Sequence, residues 1–180
     1  MESIDFIMYF LFNFFLYGFI GWIIENVYCY FKNKHFQQDG FLNSPFKPMY
    51  AFAMAIIISV YSINPNTYGL VLMCMVIPTS IEYITGVLMK HYFNKEYWDY
   101  SKVKFNFQGI ICARFSVYWT LLTFVGVRYI QPYIINSLYE LIMPIWIGLA
   151  PILLLGLLID DIYTIKAFKI EFFKKNNNMA

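Results

Sequence analysis

The chain has 180 residues, of which 60% are hydrophobic and 22% aromatic, while only 13% are charged and the mean hydropathy is +0.55. A soluble domain of this length could not hide so much apolar surface behind so few charges, and a net charge of +2 gives no reason to expect a nucleic-acid partner. The composition predicts an all-α polytopic membrane protein, one integral membrane domain with the lipid bilayer as its solvent.

The first apolar run, Phe6 to Phe31, has about 26 residues and is long enough to span with some tilt. Glu2 and Asp5 precede it instead of lysines, and no small-residue cleavage pattern follows, so it does not read as a signal peptide. Gly18 and Gly21 offer a close-approach face to a neighbouring helix, and Glu25 with Asn26 lies about two turns from its end. A linker with turn signals at Asp39-Gly40 and Ser44-Pro45 leads to a second helix over residues 46–62, its start shaped by Pro45 and Pro48. The third covers 68–89, with Pro78 expected to kink it and Glu82 in its second half.

A polar, aromatic-rich loop follows. Trp98, Tyr100, Phe105 and Phe107 suit a headgroup interface, while Asp99, Ser101, Asn106 and Gln108 offer more hydrogen-bonding groups than anchoring requires. The fourth helix is expected over 109–127, which places Arg114 about five residues, roughly 7 Å, inside it. The fifth covers 141–163, with Pro144 and Pro151 in its first half and Asp160-Asp161 at its far end. Residues 166–180 form a polar tail whose last residues are expected to be disordered. Cys29, Cys74 and Cys112 are odd in number and lie in apolar segments, as packing residues do.

With five spans, every lysine and Arg114 fall on one side and Arg128 alone on the other. Basic residues near helix ends stay cytoplasmic, so the N-terminus is expected outside and the C-terminus inside, with Asn66 and Gln131 reachable from the outer face. Two units also resemble each other: Glu25, Lys34-His35, Asp39 and Asn43, against Glu82, Lys90-His91, Asp99 and Asn106, each followed by a new helix. As repeats they would be parallel, related by an axis along the membrane normal.

Glu25, Glu82 and Arg114 then share a depth in the cytoplasmic half, with Asp160 close to the same level. A charge at a helix centre costs about 2.5–3.5 kcal/mol, so such residues should face one another or a wet cavity, with Arg114 paired to Glu82 or Glu25. The candidate substrate-binding or coupling residues are therefore Glu25, Asn26, Glu82, Trp98, Asp99, Asn106, Arg114 and Asp160. A purely architectural Arg–Glu pair remains the competing reading. His35 and His91 sit beside lysines at helix ends without ligand-spaced partners, so neither a metal nor a cofactor is expected. Nucleotide-binding, HExxH, GxSxG and dinucleotide motifs are absent, so the chain carries no ATPase and no marked nucleophile.

The motifs GWIIEN at 21–26, DGFLNSPFKPMY at 39–50, IEYITG at 81–86, and WDYS with FNFQGIICARFSVYW within 98–119 resemble the bacterial family labelled putative ABC-transporter type IV membrane proteins. The resemblance covers about residues 6–165. It implies a multi-pass cell-membrane permease of the bacterial inner membrane, with no established substrate, and maps the family motifs onto Glu25, Glu82, Trp98, Asp99, Asn106 and Arg114. Five helices are few for a translocation path, so a separate ATP-binding cassette ATPase or a second copy of the chain is the expected partner. The alternative is an intramembrane enzyme, or a binding or sensing protein, acting on a lipid-derived or amphipathic molecule.

Overall fold

The structure, a computed structural model, describes residues 3–36 and 40–177. It is all-α and 80% helical. The elements are α1 (Ser3–Asn33), α2 (Pro48–Ile63), α3 (Thr67–Phe93), a two-stranded hairpin β1 (Asn106–Phe107) and β2 (Ile111–Cys112), α4 (Ala113–Val125), a π-helical segment (Gly126–Ile135) and α5 (Asn136–Asn177). Three stretches are long and apolar enough to cross a membrane, Ile4–Lys32, Thr67–Phe93 and Ala113–Ile170, while α2 is a shorter apolar helix.

The last stretch has 58 residues, about 87 Å of straight helix against a hydrocarbon core of about 30 Å. It does not run straight past its neighbours. Phe115 meets Tyr28 near the C-terminal end of α1, and Gln131 bonds Asn13 and Tyr17 further towards its N-terminal end. Trp146 then donates to Met8 O, Leu157 packs on the Phe14–Phe46 cluster, and Phe168 stacks near Phe41 and Phe93. The chain reverses across the π-helical segment, with α4 antiparallel to α1 and α5 returning along it. Pro132 removes a backbone donor within that segment.

Polar side chains hold the reversal. Gln131 Nε2 donates to Asn13 Oδ1 at 2.8 Å, Tyr9 Oη at 3.0 Å and Asn136 Oδ1 at 3.1 Å, while Tyr17 donates to Gln131 Oε1 at 2.7 Å. Gln131 is therefore only 4% exposed, which corrects its expected place on an accessible outer loop. A glutamine amide in an apolar setting carries a desolvation penalty unless bonded, and α1 supplies the partners.

The α1–α2 interface rests on two glycines. A Cβ at Gly18 would run into the Phe46 ring, and one at Gly21 into Tyr50. The linker closes on the same face, with Lys47 N donating to Gly18 O at 3.0 Å. Pro48 opens α2 at its first turn, where a missing N–H costs nothing. Pro78 lies inside α3, which runs on unbroken. Apolar residues point outward along α5, including Leu141, Ile145 and Ile152, as in helices solvated by lipid.

Two sequence expectations change here. The fourth helix does not begin at Gly109: Gln108 and Gly109 both have positive φ, and Ile110 N returns to Phe107 O at 3.0 Å, closing the β1–β2 hairpin. Helix α4 therefore starts at Ala113, and Arg114 sits in its first turn instead of more than a turn deep. The fifth helix does not stop near residue 163 but continues to Asn177, since after Gly156 no glycine or proline interrupts it. Asp39, with its turn signal and its place in the repeat, and the tail residues 178–180 lie outside the described residues.

Candidate functional site

Glu25 projects from the face of α1 that carries Gly18 and Gly21, one turn beyond Gly21. Because those glycines let α2 come close, Lys47 at the N-cap of α2 reaches Glu25 and forms an ion pair with its Oε2. Both side chains are largely covered, at 15% and 22% exposure. The glutamate expected to meet Arg114 thus meets a lysine from the linker.

Glu82 on α3 is 4% exposed. Its Oε1 accepts from the Tyr100 hydroxyl at 3.0 Å, and its Oε2 is buried without a hydrogen bond. The indole N–H of Trp119 is directed at the same carboxyl, but it falls short of hydrogen-bond geometry, and Nε1 is buried without another partner among the described residues. A carboxyl can accept about four hydrogen bonds, so Glu82 is under-satisfied. Glu25 lies close enough for the two acids to feel each other's charge, and Tyr50 sits beside both, its ring edge-on to Trp119 at 4.9 Å.

The loop between α3 and α4 carries Tyr100 and is braced by its own hydrogen bonds. Asp99 accepts from Ser101 N at 2.8 Å and Ser101 Oγ at 2.9 Å, which keeps its carboxyl below the usual aspartate range. Asn106 donates to Val103 O at 2.7 Å and accepts from Gly109 N at 3.0 Å. Trp98 donates to Ile110 O at 2.7 Å, and Gly86 leaves room for both Ile110 and Trp98. Tyr100 itself stacks on Phe115 at 4.8 Å. Burial and then Glu82 push its hydroxyl well above the ordinary tyrosine range, so it remains a donor.

The eight sequence-derived candidates therefore separate. Glu25 and Glu82 come together. Trp98, Asp99 and Asn106 build the loop that delivers Tyr100. Asn26 is buried but bonds Trp22 O within its own helix at 2.9 Å. Asp160 joins the linker to α5, accepting from Ser44 N at 2.8 Å and Asn43 Nδ2 at 3.0 Å. Arg114 does not pair with either glutamate: it is exposed, and its Nε donates to Tyr118 Oη at 3.0 Å. In the first turn of α4, exposed and bonded to Tyr118 one turn further along, the guanidinium needs no internal counter-charge.

Sequence reasoning missed Lys47, Tyr50, Tyr100 and Trp119. Lys47 had a signal, since it stands between Phe46 and Pro48 where the linker must cross the two glycines. Tyr100 had none beyond the crowding of hydrogen-bonding residues around it.

Beside Glu82 is a cavity of about 120 Å³, bounded by α1, α2, α3, α4 and the π-helical segment. Its walls are almost wholly apolar, from Ile20, Met54 and Pro78 among others, and Glu82 is the only carboxyl among the described residues that line it. A family model described as Putative ABC-transporter type IV matches residues 12–165, a stretch that includes every side chain of the cluster. No curated protein and no solved structure matches the chain.

Proposed function

Since the chain belongs to the putative ABC-transporter type IV family, we propose that it is the membrane permease subunit of a transporter. In this reading it is a multi-pass protein of the cell membrane, with five crossings, the N-terminus outside and the C-terminus inside. Support for the crossings comes from the contact order along Ala113–Ile170, which reverses at Gly126–Ile135, and support for the orientation comes from the segregation of lysines. Glu25 and Glu82 form the polar site. Lys47 neutralises the first, Tyr100 addresses the second, and Trp98, Asp99 and Asn106 position Tyr100.

The observation that carries the reading is the under-bonded Glu82 at the wall of a cavity inside the helical bundle. Structural helix-holding would pair the acid with a cation, as Lys47 pairs Glu25. A buried carboxyl with spare acceptor capacity is arranged to exchange partners, as a translocation or coupling site must. The chain has no nucleotide-binding loop, so a separate ATPase supplies the energy, and a second copy of the chain would complete the path.

Affinity purification of the tagged chain from its native membrane tests this. An ATP-binding cassette protein should co-purify in stoichiometric amount, and its ATPase activity should change in Glu82→Gln. Recovery of the chain without any ATPase, under conditions that preserve other membrane complexes, would remove the permease reading. It would leave the second one, a binding or sensing protein for an amphipathic molecule, which the apolar cavity also favours.

A further inference from the structure

Helix α1 meets α4 near one end of the bundle and the π-helical segment near the other. At one end Tyr28 is edge-on to Phe115 at 6.5 Å, and at the other Tyr17 donates to Gln131 at 2.7 Å. Between these closures lies the cavity, backed by α2 and α3. Leu122 and Ile130 line it and are 43% and 39% exposed, and in the five-crossing reading these side chains face acyl chains.

Two of the polar groups in the walls are committed: Tyr17 bonds Gln131, and Thr123 Oγ1 bonds Trp119 O at 2.7 Å. Glu82 Oε2, nine-tenths buried as part of its residue, is met only by the neighbouring Trp119 indole, which falls short of hydrogen-bond geometry. An anionic guest would meet this carboxyl unfavourably, and a strongly hydrated one would find too few partners in an apolar chamber. A guest with a donor group, above all a cationic one, would gain a charge-assisted hydrogen bond there. Size sets a further limit, because a dry apolar cavity of about 150 Å³ admits benzene, and this one is slightly smaller at about 120 Å³.

We propose that the cavity between α1 and α4 binds a compact apolar molecule carrying one amine, which enters sideways from the bilayer and sets its amine against Glu82 Oε2. This deepens the permease reading and rests on it for its physiological meaning, naming lipophilic amines as the substrate class. The competing arrangement is that the Trp119 indole closes on Glu82, which would leave the chamber with no polar address.

The purified full-length chain in detergent can be titrated with butylamine, butanol and pentane, using the thermal shift and tryptophan fluorescence together. Butylamine should bind about tenfold or more tighter than butanol, as a charge-assisted bond predicts over a neutral one. Glu82→Gln should bring the amine down to the level of the alcohol. Leu122→Trp, at the lipid-facing edge, should weaken all three probes and needs no change at the acid. Equal affinities for the three probes in the wild type, an amine preference that survives Glu82→Gln, or indifference to Leu122→Trp would each overturn the proposal. Since no ATPase is present in this assay, its failure is distinct from failure of the permease reading, which the co-purification decides.

Discussion

Tyr100 leaves the loop between α3 and α4 and donates its hydroxyl to Glu82 Oε1 at 3.0 Å, the one hydrogen bond found for that carboxyl among the described residues. Loop and helix bundle are thereby joined at the candidate site.

Tyr100→Phe keeps the ring against Phe115 and removes only the hydroxyl. Leaving a buried acceptor unmet costs about 1–3 kcal/mol, so the variant should melt measurably below wild type in detergent. Tyr100→Phe combined with Glu82→Leu should lose less than the two single changes summed, because the orphaned acceptor is gone. Strict additivity would mean that the bond does not couple the loop to α3. As burial and Glu82 both hold the hydroxyl above its ordinary range, no titration of Tyr100 should appear between pH 6 and roughly pH 10.

Lys47→Ala should be the most damaging single change of a basic residue. It strands Glu25 in a largely covered position, and breaking a buried pair costs about 3–5 kcal/mol, a range that partial exposure brings down. Lys47→Met with Glu25→Gln should recover much of the loss. Arg114→Ala should by contrast melt close to wild type, as surface changes do. The comparison is a set of melting curves, and a large loss from Arg114→Ala with none from Lys47→Ala would refute the pairing described here.

Cysteines placed at Asn66 and Tyr133 should react with an impermeant thiol reagent added outside intact cells, whereas one at Lys102 should not. Tyr133 is 75% exposed and replaces Gln131 as a reporter because Gln131 is buried. Labelling of Lys102 alone from outside would invert the proposed orientation.

Membrane character and helical class follow from composition alone, because lipid selects for apolar side chains regardless of which helix touches which. Local chemistry also specified where α1, α2 and α3 run, and Gly18 and Gly21 marked a close approach because a missing Cβ has few other uses in a helix. The same local reading failed at Gly109–Cys112, where apolar residues continue but two positive φ values make a turn, and it therefore carried Arg114 too deep. At Gln131 it took a polar residue between two apolar runs for solvent-facing, though α1 provides its bonds.

The partners of the charges were decided only in three dimensions. Glu25 and Lys47 are joined because two helices can close on a glycine face, and Glu82 and Tyr100 because a hairpin aims one side chain of the loop inward. Neither relation has a sequence spacing, since each spans elements whose distance apart is set by packing. Depth along a helix told which residues are costly to bury; the tertiary structure alone decided which neighbour offsets that cost, and left Glu82 with spare capacity.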